Sequence, residues 1–160
     1  MKEILIINGS GGVGKDTFVN LLAKHSAVYH DSIVNPIKEM AKEFGWTGEK
    51  TEKDRKFLSD LTMLADNYSD YTYTIAKETM YMFMSDVICG EILCIDMREA
   101  SQIERAKKEF GAKTVLITRN SVPHITSNVA DKGVFDIEYD FYITNYGSID
   151  ELDKKAEEFL

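Results

Sequence analysis

Cysteine, arginine and long apolar runs are all scarce in this 160-residue chain. Each scarcity excludes something. The two cysteines, Cys89 and Cys94, lie around Gly90 with no Cys/His set about them. That spacing favours two buried reduced thiols over a disulfide framework or a metal pair. No apolar stretch approaches the roughly 20 residues that span a bilayer. The start, Met1-Lys-Glu-Ile, runs directly into a strand pattern without the apolar core and small-residue cleavage site of a secretion signal, so a cytoplasmic protein is expected. A net charge of −8 leaves no broad basic face for nucleic acid or a membrane surface. Any anionic ligand has to be held by a few local cations, which makes the four arginines, Arg55, Arg98, Arg105 and Arg119, informative. Repeats, low-complexity tracts and Pro/Gly linkers are also missing, so one domain over residues 1–160 is expected, long enough for a full core.

Hydrophobic residues make up 44% of the chain and charged residues 29%, as in an ordinary globular protein. The most informative segment is Gly9-Ser-Gly-Gly-Val-Gly14-Lys15-Asp16-Thr17. Before it, Ile4 to Ile7 form a continuous apolar run of the kind found in strands buried on both faces. After it, Phe18, Leu21 and Leu22 are spaced as one helix face. Strand, glycine-rich loop and helix in this order form a cradle for the phosphates of a nucleoside triphosphate. Gly9, Gly11, Gly12 and Gly14 admit positive φ, so that successive amides, Val13 included, can turn inward toward phosphate oxygens. The helix that follows directs its positive end to the same place. Lys15 adds a mobile cation for the β and γ phosphates.

Beyond the loop, strand and helix patterns alternate. A short strand is expected at Ala27–Tyr29 and a helix from Pro36 to about Phe44. Thr51-x-x-Asp54 opens a helix with Phe57, Leu58, Leu61, Leu64 and Ala65 on its inner face, and another helix runs from about Ser69 to Asp86, burying Ala76, Met80, Phe83 and Val87. Ile92 to Ile95 is a strand ending at Asp96. Ser101-x-x-Glu104 caps a helix that turns Ile103, Ala106 and Phe110 inward and stops at Gly111. Val115–Ile117 and Phe141–Thr144 are the last strands, separated by a loop from Asn120 to Gly133. Ser148-x-x-Glu151 caps the final helix, which carries Ile149, Leu152, Ala156 and Phe159. The fold class expected is α/β, a three-layer P-loop NTPase architecture with a five-stranded, largely parallel sheet flanked by helices. Residues 36–88 form a helical insert on the acceptor side, and 120–133 a short lid-like loop.

Ligands of such sheets sit beyond the carboxyl ends of the strands. Asp96, Arg98, Arg119 and Asn145 all fall there. Phosphoryl transfer needs a metal ion, cations on the phosphates and an acceptor held in line. Magnesium takes oxygen ligands, and the residue after the loop lysine usually supplies a hydroxyl. Here that residue is Asp16. Its carboxylate can hold the ion directly or through water, sit beside an acceptor hydroxyl, or simply favour the start of a helix. Thr17 and Asp96 complete the candidate metal residues, Thr17 also being placed for the α-phosphate. Arg98 and Arg119 are planar, always charged phosphate clamps.

Weaker signals have two readings each. His25 reads as a packed helix residue. His30 and Asp31 either touch the acceptor or make a turn, and His124 lies in the loop. Tyr68, Tyr71, Tyr73, Met80, Tyr81, Met82, Phe83 and Met84 line a nucleobase pocket or belong to the core. Lys53, Arg55 and Lys56 anchor substrate or form a solvated face.

Five segments carry a family likeness: Gly14-Lys-Asp-Thr17, Pro36-Ile-Lys38, Asp96-Met-Arg98 with its helix and Gly111-Ala, Ile117-Thr-Arg119, and Asp140-x-x-Ile143-x-Asn145. Together they resemble the deoxynucleoside monophosphate kinase family of P-loop kinases and, more distantly, animal-type phosphomevalonate kinases. The resemblance implies ATP- and magnesium-dependent transfer to a small phosphorylated acceptor, most readily a nucleoside monophosphate. It places Lys15 and Arg119 on the donor phosphates, Arg98 near the acceptor, and Asn145 to Gly147 beside the donor base. The lid stretch departs from the family in offering only His124 and Lys132 where extra arginines are usual. No nucleic acid or membrane partner is expected, and a homodimer is left open. The competing reading is an NTPase or nucleotide-binding module without small-molecule kinase activity; its guanine-specific form is disfavoured because no Asn-Lys-x-Asp segment occurs.

Overall fold

The computed structural model describes residues 2–121 and 133–160. The chain begins with strand β1 (Glu3–Asn8), helix α1 (Lys15–His25) and strand β2 (Val28–Ser32). Three helices follow, α2 (Asn35–Glu43), α3 (Glu52–Ser69) and α4 (Tyr71–Met84), before β3 (Ile92–Asp96). Helix α5 (Ala100–Phe110), β4 (Lys113–Thr118), β5 (Phe141–Thr144) and α6 (Ile149–Phe159) complete the described elements. The sheet has five strands in the order β2-β3-β1-β4-β5, and every pairing is parallel. Parallel pairing aligns the carboxyl ends of all five strands, so residues far apart in sequence meet along one edge.

Alternation along the strands sorts the core into two layers. Ile4, Ile6, Leu93 and Ile95 face Tyr73, Ala76, Met80 and Phe83 of α4 and Ile103 and Ala106 of α5. Leu5, Ile7, Cys94, Val115 and Ile117 face Phe18, Val19, Leu21 and Leu22 of α1 and Leu152 and Ala156 of α6. Each of these large side chains contributes about 1.5–3 kcal/mol by leaving water. The central strand β1 is apolar toward both layers, which is why Ile4–Ile7 reads as an unbroken hydrophobic run.

Several details differ from the sequence expectation. The second strand runs on to Ser32, because its pairing with β3 continues to Asp96. Helix α3 has the expected Thr51/Asp54 capping box, yet none of its residues is fully buried. Phe57, Leu58, Leu61 and Ala65 are half-buried, and Leu64 is exposed. Val87 lies beyond the end of α4 and is exposed, and Ile149 is exposed in the first turn of α6. Helix α5 starts two residues earlier than Ser101 would dictate: the amides of Gln102 and Ile103 already bond to Glu99 O, so Ser101 sits inside the first turn and does not cap. Cys94 is buried but Cys89 is exposed, and both are free thiols. His25 is paired with Asp153 at 2.9 Å across the α1–α6 contact, not packed among apolar side chains. The expected lid at 120–133 falls mostly on 122–132, with His124 and Lys132, outside the described residues. Among the described residues no helix is long and apolar enough to cross a membrane.

Candidate functional site

The phosphate loop leaves β1 at Asn8, whose side chain is fully buried. Asn8 Oδ1 accepts from Gly9 N at 2.8 Å, and its Nδ2 donates to the Tyr139 hydroxyl at 2.8 Å. Tyr139 in turn donates to Val134 O at 2.6 Å, and burial raises its pKa above the usual phenol value. The root of the loop is thus tied to the segment that precedes β5. Gly9 has φ +147°, and a Cβ there would stand 2.5 Å from Ile117 O of β4, so no other residue fits. Gly14 (φ +97°) is the N-cap of α1, and no side chain caps the helix there. The first-turn amides of α1 have no helical acceptor, and an anion bound in the loop would satisfy them. Gly12 is also left-handed, whereas Gly11 is not among the positive-φ residues, contrary to expectation.

Asn145, at the end of β5, reaches beneath this loop. Its Nδ2 donates to Val13 O at 2.9 Å, and a Cβ on Gly14 would lie 2.5 Å from the same nitrogen. The asparagine therefore buttresses the cradle from below. Gly147 belongs to the turn before α6, where a Cβ would collide with the Glu151 carboxylate of the capping box. The neighbouring Tyr146 lines a cleft of about 290 Å³ with Ser10, Val13, Arg119, Asn120 and Phe135. Arg119 is exposed at the mouth of this cleft, just past β4. Lys15 lies back over the loop, its Nζ donating to Gly9 O at 2.8 Å and to Ser10 O at 3.2 Å. Ser10 Oγ is buried and makes no hydrogen bond.

On the other side of the loop, Asp16 in the first turn of α1, His30 in β2 and Asp96 at the end of β3 converge, with one ligand atom from each lying within 4.8 Å of the others. The sheet register explains the meeting. His30 is the Cα partner of Cys94, and Asp96 is two residues on, hence a diagonal neighbour on the same face. His30 Nε2 lies 3.3 Å from Asp96 Oδ2. The hydrogen bond to Asp96 outweighs partial burial and, helped by the charges of Asp96, Asp16 and Asp31, raises the His30 pKa above its usual value. Asp96 Oδ1 is buried and makes no hydrogen bond. An orphaned buried carboxylate oxygen beside a second carboxylate fits a divalent cation, so Asp16 and Asp96 are suited to hold one. Thr17 is exposed in the same first turn.

Arg98 is half-buried, two residues beyond Asp96. Asp31 Oδ1 accepts from Ser32 N and from Asn35 Nδ2, so it shapes the β2–α2 turn. The aromatic row divides. Tyr73 is buried under Arg105, whose guanidinium stacks 3.7 Å from the ring centre, and burial pushes its hydroxyl pKa up to about 12. Met80 and Phe83 are core, while Tyr68 is 91% exposed. Lys53 and Lys56 are exposed and Arg55 half-buried, its Nε donating to Lys50 O. Sequence reasoning missed Asn8 and Tyr139 altogether and left His30 undecided. Asn8, a polar residue closing an apolar strand just before the glycines, was the available signal for the first.

No family model and no curated protein sequence matches this chain. Solved structures do. The shikimate kinase of Aquifex aeolicus is 12% identical with a TM-score of 0.52, over 97% of this chain and 92% of that one. A Deinococcus radiodurans tunicamycin resistance protein is 12% identical with a TM-score of 0.52, over 99% and 95%. A sugar kinase of Janibacter sp. HTCC2649 is 12% identical with a TM-score of 0.51, over 98% and 92%. The fold is that of the P-loop kinases: an α/β three-layer sandwich whose five-stranded parallel sheet carries a phosphate loop at its carboxyl edge.

Proposed function

We propose that the protein is an ATP-dependent small-molecule kinase that transfers the γ-phosphoryl group to a phosphorylated acceptor, a (deoxy)nucleoside monophosphate. The observation that carries this reading is the pairing, on one sheet edge, of an uncapped left-handed Gly14 loop with the Asp16/Asp96 carboxylates. In this reading the amides from Gly9 to Thr17 bind the donor phosphates, and Lys15 leaves the Gly9 and Ser10 carbonyls to meet the β and γ oxygens. Arg119 closes on the phosphates from the cleft that takes the donor base. Asn145 holds the loop in shape, and Arg98 orients the acceptor phosphate. Asp16, Thr17 and Asp96 hold Mg²⁺, which neutralises charge developing on the phosphoryl oxygens. Such catalysis is positioning and charge stabilisation, which a cradle held by Asn8, Gly9 and Asn145 is built to supply.

A second reading has an observation of its own. A carboxylate–imidazole cluster next to the loop suits an acceptor whose hydroxyl needs a proton removed, as the names shikimate kinase and sugar kinase of the structural neighbours would suggest. Incubation with ATP, Mg²⁺ and a panel of nucleoside monophosphates, phosphomevalonate and unphosphorylated polyols separates the two. Phosphate appearing on a monophosphate supports the first, and phosphate on a polyol the second. Inorganic phosphate alone would identify an NTPase instead. Nucleotide-dependent thermal stabilisation without turnover on any acceptor would identify a binding module.

A further inference from the structure

The cluster of Asp16, His30 and Asp96 contains more than a magnesium site requires. Magnesium demands near-ideal octahedral oxygen coordination, and two carboxylates with phosphate oxygens and water meet it. A third group here is an imidazole, brought in from β2, a strand that contributes nothing to the phosphate loop. Its position follows from the parallel register, which sets His30 and Asp96 side by side on the face that α1 covers. His30 Nε2 and Asp96 Oδ2 are 3.3 Å apart, and all three ligand atoms fall within 4.8 Å of one another. Around an octahedral ion with bonds of about 2.1 Å, neighbouring ligands are about 3 Å apart and opposite ones about 4.2 Å. The three ligand atoms are therefore near enough to one another for a single ion to bring them together. Asp96 still has a buried oxygen that no hydrogen bond satisfies.

We infer that His30 is a direct metal ligand completing an Asp16–His30–Asp96 site, and that this site selects Mn²⁺ over Mg²⁺. Two carboxylates and an imidazole form a mixed oxygen–nitrogen set, and imidazole favours transition metals while carboxylates accept manganese readily. Magnesium gains little from the nitrogen and sheds water reluctantly. The inference rests on the kinase reading only in taking this cation to be the one that accompanies the donor phosphates.

Pulsed electron paramagnetic resonance on the full chain loaded with Mn²⁺ alone, then with Mn²⁺ and a non-hydrolysable ATP analogue, tests it. With ¹⁵N-histidine labelling, bound Mn²⁺ should show coupling to histidine nitrogen, which adenine nitrogens cannot mimic. His30→Asn and His30→Gln should abolish that coupling and weaken Mn²⁺ binding by roughly tenfold or more, while Mg²⁺ binding, read by competition, changes by no more than about twofold. Wild-type protein that binds Mn²⁺ without histidine coupling, or binds none in either state, overturns the inference and leaves His30 as an ion-pair partner of Asp96. A wild-type spectrum without histidine coupling overturns the inference even if the variants fold poorly, whereas the His30 variants tell His30 from the other two histidines. Binding of the ATP analogue in EDTA reports the phosphate loop separately, so failure of metal ligation and failure of the kinase reading are told apart.

Discussion

The phosphate loop and helix α3 lie within one chain, yet they are built in opposite ways. Around the loop the backbone itself is the instrument. Gly9 and Gly14 hold φ values of +147° and +97°, and Asn8 and Asn145 bond it from two sides. Helix α3 spans 18 residues without burying one completely, and it exposes Met63, Leu64 and Tyr68. Its apolar contact is partial, through the half-buried Phe57, Leu58, Leu61 and Ala65, and polar ties supplement it. Its Thr51/Asp54 box fixes the start, and Asp66 accepts from Thr72 N and Oγ1 at 2.8 Å. At the junction with α4, Asp70 takes φ +52° and is gripped by Arg105 at 2.7 Å. The loop is thus set by backbone conformation and polar bonds, whereas α3 leaves apolar side chains uncovered.

That contrast can be broken in several ways. Lys15→Ala should reduce phosphoryl transfer by roughly 10²–10³-fold, the scale of removing one preorganised charge. A wild-type turnover rate would take Lys15 out of the mechanism. Gly9→Ala should destabilise the fold by about 3 kcal/mol, because the added carbon meets a backbone carbonyl of β4 at 2.5 Å and cannot be relieved by a side-chain rotation. Chemical denaturation measures it, and a loss below about 1 kcal/mol would show the loop to be pliable. Asn145→Ala leaves the Val13 carbonyl without its buried donor and should cost about 1–3 kcal/mol, with weaker ATP-analogue binding and unchanged acceptor dependence.

A smaller effect is expected at Asp140. Partial burial would raise its pKa, but hydrogen bonds from Thr114 N and Oγ1, with Lys107 nearby, outweigh that and lower it. A lowered carboxylate pKa stabilises the fold above the unfolded value of about 3.9, and the stabilisation disappears as pH falls through the folded value. Asp140→Asn should therefore cost about 1 kcal/mol at neutral pH, the side chain being 39% exposed, with the gap to wild type closing below about pH 4. A gap independent of pH would remove the charge from the explanation. Smallest of all, Leu64→Ala on the exposed face of α3 should change stability by less than about 0.5 kcal/mol. A loss of 2 kcal/mol or more in the isolated protein would mean that this face is covered.

The glycine-rich loop was readable because its requirements are local. A cradle of inward-turned amides needs glycines at fixed intervals, an apolar strand before them and a helix after, and all three lie within two dozen consecutive residues. The capping boxes at Thr51 and Ser148 were readable for the same reason, since each is complete within four consecutive residues. Burial on α3 was overestimated because apolar periodicity states which face is greasy, not whether a neighbour arrives to cover it. Ser101 was misjudged because the backbone began the helix at Glu99, and a serine caps only where the chain is not yet helical.

From its order of residues alone, this chain determined a parallel α/β sheet, a phosphate loop and the strand ends along which the site lies, because periodicity and glycine spacing act over short stretches. Tertiary structure alone decided that Asn8 and Asn145 would brace the loop and that His30 would stand beside Asp96. The bonds Asn8–Tyr139 and Asn145–Val13 and the pair His30–Asp96 join residues 131, 132 and 66 positions apart, so only the packing of the folded chain selects them.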